Sequence, residues 1–427
     1  MTGDGELQEG QIWESLRGAV NANMGELTVI VDHNKIQSDH WVTATNDLGD
    51  LEARFNSCAW HVQRCDGHNL EAFDKCLQEC KRRESPSIII ADTVKGSGVS
   101  FMNFSLNQTA TYDFHSGAIA DTEYDLAFNE IKSHLNKLLE TVNLPDLQTV
   151  LVPSTEKKVI TETENLISAY STSLLSQIKN NSEIVVLDAD LVKDTGTIEF
   201  KKINPGMFIE CGIAEQDMVS QAGAIALTGS LPIVHSFACF LSTRPNEQIY
   251  NNATEKTKII YVGSLAGILP AGPGHSHQSV RDISTLSSIP DLLMIQPSTE
   301  HEVKLALDYC VNNNKGSSYI RLVSIPTSIP FSLVSECKLE KGKGTTIVDG
   351  KDCLVFSYGP TMLTEAYHAA KSLADMGIGI KLINLPWLNH VDLNWLKSQI
   401  AGFSKIVTID DHYIIGGQGD MILSAIS

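Results

Sequence analysis

Positive charge is what this sequence of 427 residues has least of: 32 lysines and arginines face 51 aspartates and glutamates, a formal net charge of -19. No basic stripe is available to displace counterions from a phosphate backbone, which sets nucleic acid aside as a partner. Long apolar runs are missing too. None approaches the roughly 20 residues of a membrane-spanning helix, and Met1 leads straight into Thr2-Gly3-Asp4 instead of a basic and then apolar signal segment. The expected compartment is the cytosol, with no membrane partner. Closely spaced cysteine pairs are also wanting: the nine cysteines are scattered with no Cys-x-x-Cys pair, so reduced thiols are expected. Cys76 and Cys80 stand one helical turn apart, but two thiolates alone fall short of a tetrahedral zinc site.

What is present is an ordinary globular composition, 42% hydrophobic and 19% charged, long enough for about three domains. Short β-branched runs alternate with longer amphipathic stretches, the pattern of parallel sheets covered by helices on both faces. The fold class expected is α/β, with three doubly wound, mostly parallel-sheet units. Residues 1–121 carry strands at Leu27 to Val31 and Ser87 to Ala91, and a helix whose buried face is Ile12, Leu16, Ala19 and Val20. Residues 122–158 are a polar linker holding one helix. Residues 159–325 carry strands at Ile184 to Leu187, Lys258 to Val262 and Leu292 to Ile295, with helices at Glu215 to Ala226 and Glu300 to Val311. Residues 326–427 carry strands at Cys353 to Phe356, Lys381 to Asn384 and Ile406 to Ile409, with a helix from Met362 to Met376. The three units share no residue-level repeat.

Two glycine-bearing motifs carry chemistry. Gly3-Asp4-Gly5 lies ahead of a helix, and Asn34 closes the strand that follows. A glycine-flanked aspartate lets backbone approach a diphosphate at a helix start, and carboxylate and amide oxygens suit a hard divalent cation. An Asp-Gly turn followed by a strand-end asparagine is the plainer alternative. Downstream, Glu210-Cys-Gly-Ile-Ala-Glu215 sets an acid at the start of an apolar helix, where it is either a functional group or an electrostatic cap. Phe237 and Phe240 lie three apart, and His275 and His277 sit in a glycine-rich loop; loops beside parallel strands are where α/β sites form.

Together these motifs resemble the transketolase family of thiamine diphosphate enzymes, over nearly the whole chain. The resemblance implies a diphosphate-binding domain, a pyrimidine-binding domain and a truncated C-terminal domain, in that order. It implies that Gly3, Asp4 and Gly5 with Asn34 form the thiamine diphosphate fingerprint, the Asp4 and Asn34 side chains and the Ile36 carbonyl holding magnesium. It makes Glu215 the partner of the aminopyrimidine ring, Phe237 and Phe240 the aromatics packed on that ring, and Asp190 a further cofactor-side aspartate. His277 and His115 match positions for substrate or diphosphate contact, and Arg321 matches a substrate-phosphate arginine. Asp66-Gly-His68, Lys95-Gly-Ser-Gly98 and the segment from Asp411 to Gly417 also read as family landmarks. Glu9 and Glu14 match acids at the subunit interface, which implies a homodimer with active sites between subunits. The implied reaction moves a two-carbon ketol group from a ketose or ketose phosphate to an aldose.

The pattern also departs from the family. Asp194 stands where a phosphate-contacting serine is expected, the helix near Ile167 and Ser168 lacks an arginine, and the loop Leu265 to Pro270 lacks a histidine. An acid where phosphate should bind is repulsive, which favours an unusual or unphosphorylated donor. Only Met1 and Thr2 precede Gly3, so the strand feeding that turn is expected to be absent, together with an upstream segment of the diphosphate wall; weak cofactor binding by the chain alone is the corresponding expectation. Two rival readings stand beside ketol transfer: a decarboxylating condensation of pyruvate with an aldehyde, as in deoxyxylulose-phosphate synthases, and a non-catalytic or split-subunit partner protein. A 2-oxoacid dehydrogenase component would need an acyl-carrier partner.

Overall fold

The computed structural model describes residues 1–105, 111–115, 118–150, 163–333 and 338–427. The chain divides into two compact units, Met1–Lys158 with Gly212–Ala214, and Val159–Cys211 with Glu215–Ser427. Ser116 and Gly117 of the His115 motif, Cys337 and the junction expected at 158–159 lie outside the described residues.

The first unit is a four-stranded parallel sheet in the order β1-β2-β4-β3, with β1 Thr2–Gly3, β2 Thr28–His33, β3 His61–Asp66 and β4 Ser87–Asp92. The run Ile88-Ile89-Ile90 has helices or strands on every side and is at most 1% exposed, which is why it reads as an unbroken apolar strand and not an alternating one. The helix Gly10–Asn21 buries Leu16 and Ala19 against it, and Leu7, Phe55 and Trp60 complete the core. The strand expected to be absent is in fact represented: Thr2 and Gly3 pair in parallel with Val31 and Asp32, so Asp4 leaves the end of a short strand. Strand β3 escaped notice because its polar residues leave no apolar alternation to detect. The helix Asp121–Thr141 occupies the front of the expected linker.

The second unit holds two sheets. Six parallel strands run β6-β5-β7-β8-β10-β9, with β5 Ile184–Asp188, β6 Phe208–Glu210, β7 Leu231–Phe237, β8 Ile260–Ser264, β9 Leu293–Ile295 and β10 Ser318–Arg321. Four more run β11-β13-β12-β14, with β11 Thr345–Val348, β12 Cys353–Ser357, β13 Ile380–Asn384 and β14 Ile406–Ile409; β11 is antiparallel to β13, so this sheet is mixed. One core serves both sheets: Ile320 and Leu322 belong to the same buried cluster as Leu354, Phe356, Ile383 and Trp387. Trp387 is fully buried, donating its indole N–H to Lys343 O at 3.0 Å and meeting Tyr309 edge-on at 5.2 Å.

A polar tie crosses the same seam. Glu302 in helix Glu300–Asp308 accepts the Ser298 N–H at 2.7 Å and the Asn384 amide at 3.0 Å, while the Ser298 hydroxyl donates to Asn384 at 3.1 Å. Burial lifts the Glu302 carboxyl from an ordinary 4.5 to about 7, against the pull of these hydrogen bonds. The folded protein therefore holds this proton more tightly than the unfolded chain, so the contribution to stability is greatest below about pH 4.5 and falls as pH rises to about 7. Glu302→Gln is expected to flatten that part of the pH–stability curve, read as urea midpoints across the window; an unchanged slope would assign the pH dependence to other groups.

Candidate functional site

In the first unit Asp4 follows β1 and is 2% exposed. Its carboxylate accepts the Gly5 N–H at 2.8 Å and the Lys35 N–H at 2.5 Å, while its own N–H donates to Asp32 O at 3.1 Å. The chain just beyond β2 is thus folded onto Asp4, which brings the Asn34 region to it across thirty positions of sequence. Asn34 closes an Asx turn by accepting the Ile36 N–H at 3.0 Å. Burial pushes the Asp4 carboxyl above its ordinary value, opposed by the Lys35 N–H and by His33. A Cβ on Gly5 would come within 2.8 Å of the Gln37 side chain, whereas one on Gly3 would meet open space. The carboxylate of Asp4, the amide oxygen of Asn34 and the carbonyl of Ile36 are all oxygen donors, a set that fits a hard divalent cation.

His115 is held by Lys95, whose ammonium donates to the imidazole Nδ1 at 2.8 Å and also to Gln37 O. Loss of hydration, then the lysine's charge, pull the His115 pKa down to about 4, so the ring is neutral at physiological pH. Glu9 stands at the start of the helix Gly10–Asn21, and Glu14 is exposed along it.

The second unit gathers its candidates at the carboxyl ends of the parallel strands. Glu215, the first residue of helix Glu215–Leu227, is 2% exposed, and one of its oxygens accepts a guanidinium N–H of Arg244 at 2.7 Å. The other oxygen, Oε2, is buried with no hydrogen-bond partner among the described residues. Leaving a buried acceptor unpaired costs about 1–3 kcal/mol, so this atom is a vacancy for a donor. Through Arg244 this helix start is linked to an aromatic cluster: the rings of Phe237 and Phe240 have centroids 5.8 Å apart, with His277 packed edge-on to both at 5.9 and 5.1 Å. The Arg244 guanidinium stacks 4.1 Å from the Phe240 centroid. Desolvation and then the Arg244 charge lower the His277 pKa, and Ser276 lies 3.0 Å from its Nδ1. An aminopyrimidine, flat, apolar on its faces and bearing N–H groups at its edge, fits the free oxygen and the rings. Asp190 follows β5 in a left-handed conformation, φ 63°, its N–H donating to Glu210 at 2.9 Å. Beneath it Asp188 is wholly buried; burial and the neighbouring Glu210 carry its carboxyl to about 8 although Leu191 N–H, Thr195 and Thr197 all donate to it.

Arg321 lies deep in the second unit. It is 0% exposed and donates to Asp282 at 2.8 Å, Gln296 at 2.5 Å, Ser279 O at 2.5 Å and Asp411 O at 2.9 Å, which engages four of its five N–H groups within the protein. It is a structural tie between β10 and the turn after β14. Arg244, by contrast, reaches Glu215 and the Phe240 ring, contacts that no motif in the sequence singles out. The signal that could mark it is its position four residues after Phe240, at the C-cap of the short helix Ala238–Thr243, the spacing that lays a guanidinium over a ring.

Three family descriptions match the chain in sequence: transketolase, thiamine diphosphate binding domain, over residues 1–135; transketolase, pyrimidine binding domain, over 164–324; and transketolase, C-terminal domain, over 342–427. Transketolase-like protein 2 of Mus musculus is 30% identical over 442 residues, covering 100% of this chain and 68% of its own. The chain belongs to the transketolase family. Among solved transketolases, a split gene transketolase described as an inactive beta4 tetramer is 28% identical with a TM-score of 0.56, over 62% of this chain and 85% of that one. The transketolase from Leishmania mexicana shares the fold with a TM-score of 0.53 at 18% identity, over 96% of this chain and 68% of its own. Among the described residues no helix is long and apolar enough to cross a membrane.

Proposed function

We propose that this transketolase-family chain transfers a two-carbon ketol group from a ketose to an aldose with thiamine diphosphate and a divalent cation, magnesium. The reading rests above all on Glu215, whose Oε2 is buried without a partner among the described residues and whose other oxygen is tied through Arg244 to the cluster of Phe240, Phe237 and His277. Asp4, Asn34 and the Ile36 carbonyl hold the cation, with Gly3 and Gly5 keeping that turn open to the diphosphate, and Asp190 stands on the cofactor side of the second unit. When bound, thiamine diphosphate supplies an acidic ring carbon and an electron sink for cleavage of a carbon–carbon bond.

The protein's own part is proton handling and orientation. Arg244 holds one Glu215 oxygen, which leaves the other to accept from a ring N–H when the cofactor is bound, and the Phe240 ring stacks against that guanidinium. A lowered pKa keeps His277 neutral at physiological pH, able to accept a proton from a sugar hydroxyl, and His115 is neutral for the same kind of contact. The working form is a homodimer in which Glu9 and Glu14 lie at the subunit interface, and the substrates are sugars or sugar phosphates. A split-subunit role is the second reading, favoured by the likeness to the inactive split gene protein.

Calorimetric titration of thiamine diphosphate with and without magnesium tests the cofactor, and exchange between a ketose and an aldose, followed by chromatography, tests the reaction. Asp4→Ala is expected to weaken the magnesium-dependent affinity by at least about 10- to 100-fold, the effect usual for losing even an outer-shell partner of a metal ligand. Equal affinities would remove Asp4 from the cation site. Carbon dioxide released from pyruvate in the same mixture would favour the decarboxylating reaction. Cofactor binding without exchange, restored by a second polypeptide, would favour the split subunit.

A further inference from the structure

Glu215, Phe237 and His277 all lie at the carboxyl ends of the six parallel strands. At the opposite, amino ends of β8, β9 and β10, a cavity of about 470 Å³ is walled by Thr257, Leu293 and Ser317 from the loops and strand starts, and by Lys341 and His390 from the third-sheet layer. A five-residue strand separates the two edges by roughly 15 Å at about 3.3 Å per residue, so this is a different place from the candidate catalytic groups.

Its charge is unlike that of the rest of the molecule. Lys256, Lys315 and Lys341 line it, with Asp291 as its one carboxylate. Among the described residues none of the three lysines forms an ion pair, in a chain whose net charge is -19. The three are exposed side chains on the cavity wall, so an anion placed among them would be attracted by all three charges at once. The cavity floor is rigid. The Ser317 hydroxyl donates to Thr257 O at 2.8 Å, and Asn389 donates to Leu292 O at 2.7 Å while accepting the Met294 N–H at 3.1 Å. Two wall residues, Lys256 and Asp291, are held at φ 60° and 57°, a region non-glycine residues enter at a cost of order 1–3 kcal/mol and keep only where the surroundings enforce it. His390 lines the same cavity; desolvation, then Lys341, lower its pKa against the opposing charge of Asp392, so the ring is neutral and able to donate one N–H.

We propose that this cavity is a second binding site, built for a small phosphate-bearing anion bridging the pyrimidine-binding layer and the third-sheet layer. Lysines suit phosphate as rotatable point charges, three of them against one carboxylate leave about two positive charges for a phosphate dianion, and the volume falls within the range of about 300–1,000 Å³ usual for small-molecule sites. The occupant is thus a phosphomonoester with a compact polar body, and its effect is to clamp the two layers together. Because the site is independent of Glu215, it stands or falls apart from the proposed reaction.

The probe is inorganic phosphate, titrated calorimetrically into the full chain at constant ionic strength. Saturable binding is expected that weakens at least tenfold in Lys256→Ala/Lys315→Ala and is unchanged in Glu215→Gln, with a phosphate-dependent rise in melting temperature lost in the same double variant. Crystals soaked in tungstate should show anomalous density between Lys256, Lys315 and Lys341. Binding that survives the double substitution, or no saturable binding with no anomalous peak in the cavity, overturns the proposal.

Discussion

Glu215→Gln is expected to lower the rate of ketol transfer by about 100- to 10,000-fold, the span usual for loss of a positioned acid–base group. Glutamine keeps the side chain's length and can still offer its carbonyl oxygen to Arg244, now 2.7 Å from Glu215 Oε1. The second position then becomes an amide nitrogen, which presents hydrogens to a ring N–H instead of a lone pair. Nothing else in the fold depends on that oxygen, since Oε2 has no partner among the described residues. The melting temperature should therefore stay close to that of the parent while turnover collapses. Glu215→Asp, which retains the charge but retreats by one methylene, should recover part of the rate. A Gln variant that turns over at the parental rate would remove Glu215 from the chemistry, and a rate loss matched by unfolding would mean a structural role.

The other large effect is on stability. Arg321→Met is expected to destabilise the second unit by about 3–5 kcal/mol, because it strands Asp282, a fully buried carboxylate, without its cation. The same substitution strips donors from Gln296, Ser279 O and Asp411 O, whose replacement by water is prevented by burial. Guanidinium unfolding should show an earlier midpoint for tryptophan fluorescence, since Trp387 sits in the core shared by the two sheets. Pairing the change with Asp282→Asn, which discharges the orphaned acid, should restore a good part of the loss; a double variant no more stable than the single one would place the damage in packing and not in charge.

What the sequence made legible follows from local physics. The strands at 184–188, 353–357 and 406–409 were visible because sheets covered on both faces leave short unbroken apolar runs, and the helix beginning at Glu215 because an acid opens it. β7 and β10 were not picked out, for a physical reason: β7 carries Pro232 and a buried His235, whose ring is satisfied by Tyr170 at 2.7 Å and Leu187 O at 3.1 Å, and β10 ends in the buried Arg321. Polar residues inside strands break the apolar signal, although the fold satisfies His235 and Arg321 through residues far away in the chain. The same long range hid the real partners of Arg321 and Arg244. Asp282 is 39 positions from Arg321 and Glu215 is 29 from Arg244, separations over which no periodicity connects two side chains. The turn at Asp4 was readable because its glycines are local, and its closure by the Lys35 N–H was not, because that contact depends on the parallel pairing of β1 with β2.

The core common to the second and third sheets has a consequence for the protein's birth on the ribosome. Ile320 and Leu322 are synthesised before Leu354, Ile383, Trp387 and Ile422, all of which they join in one buried cluster. At about 5–20 residues per second, the hundred or so residues in between take roughly 5–20 s to emerge. Throughout that interval the six-stranded sheet carries a naked apolar flank, and it is in those seconds that holding chaperones have most to protect.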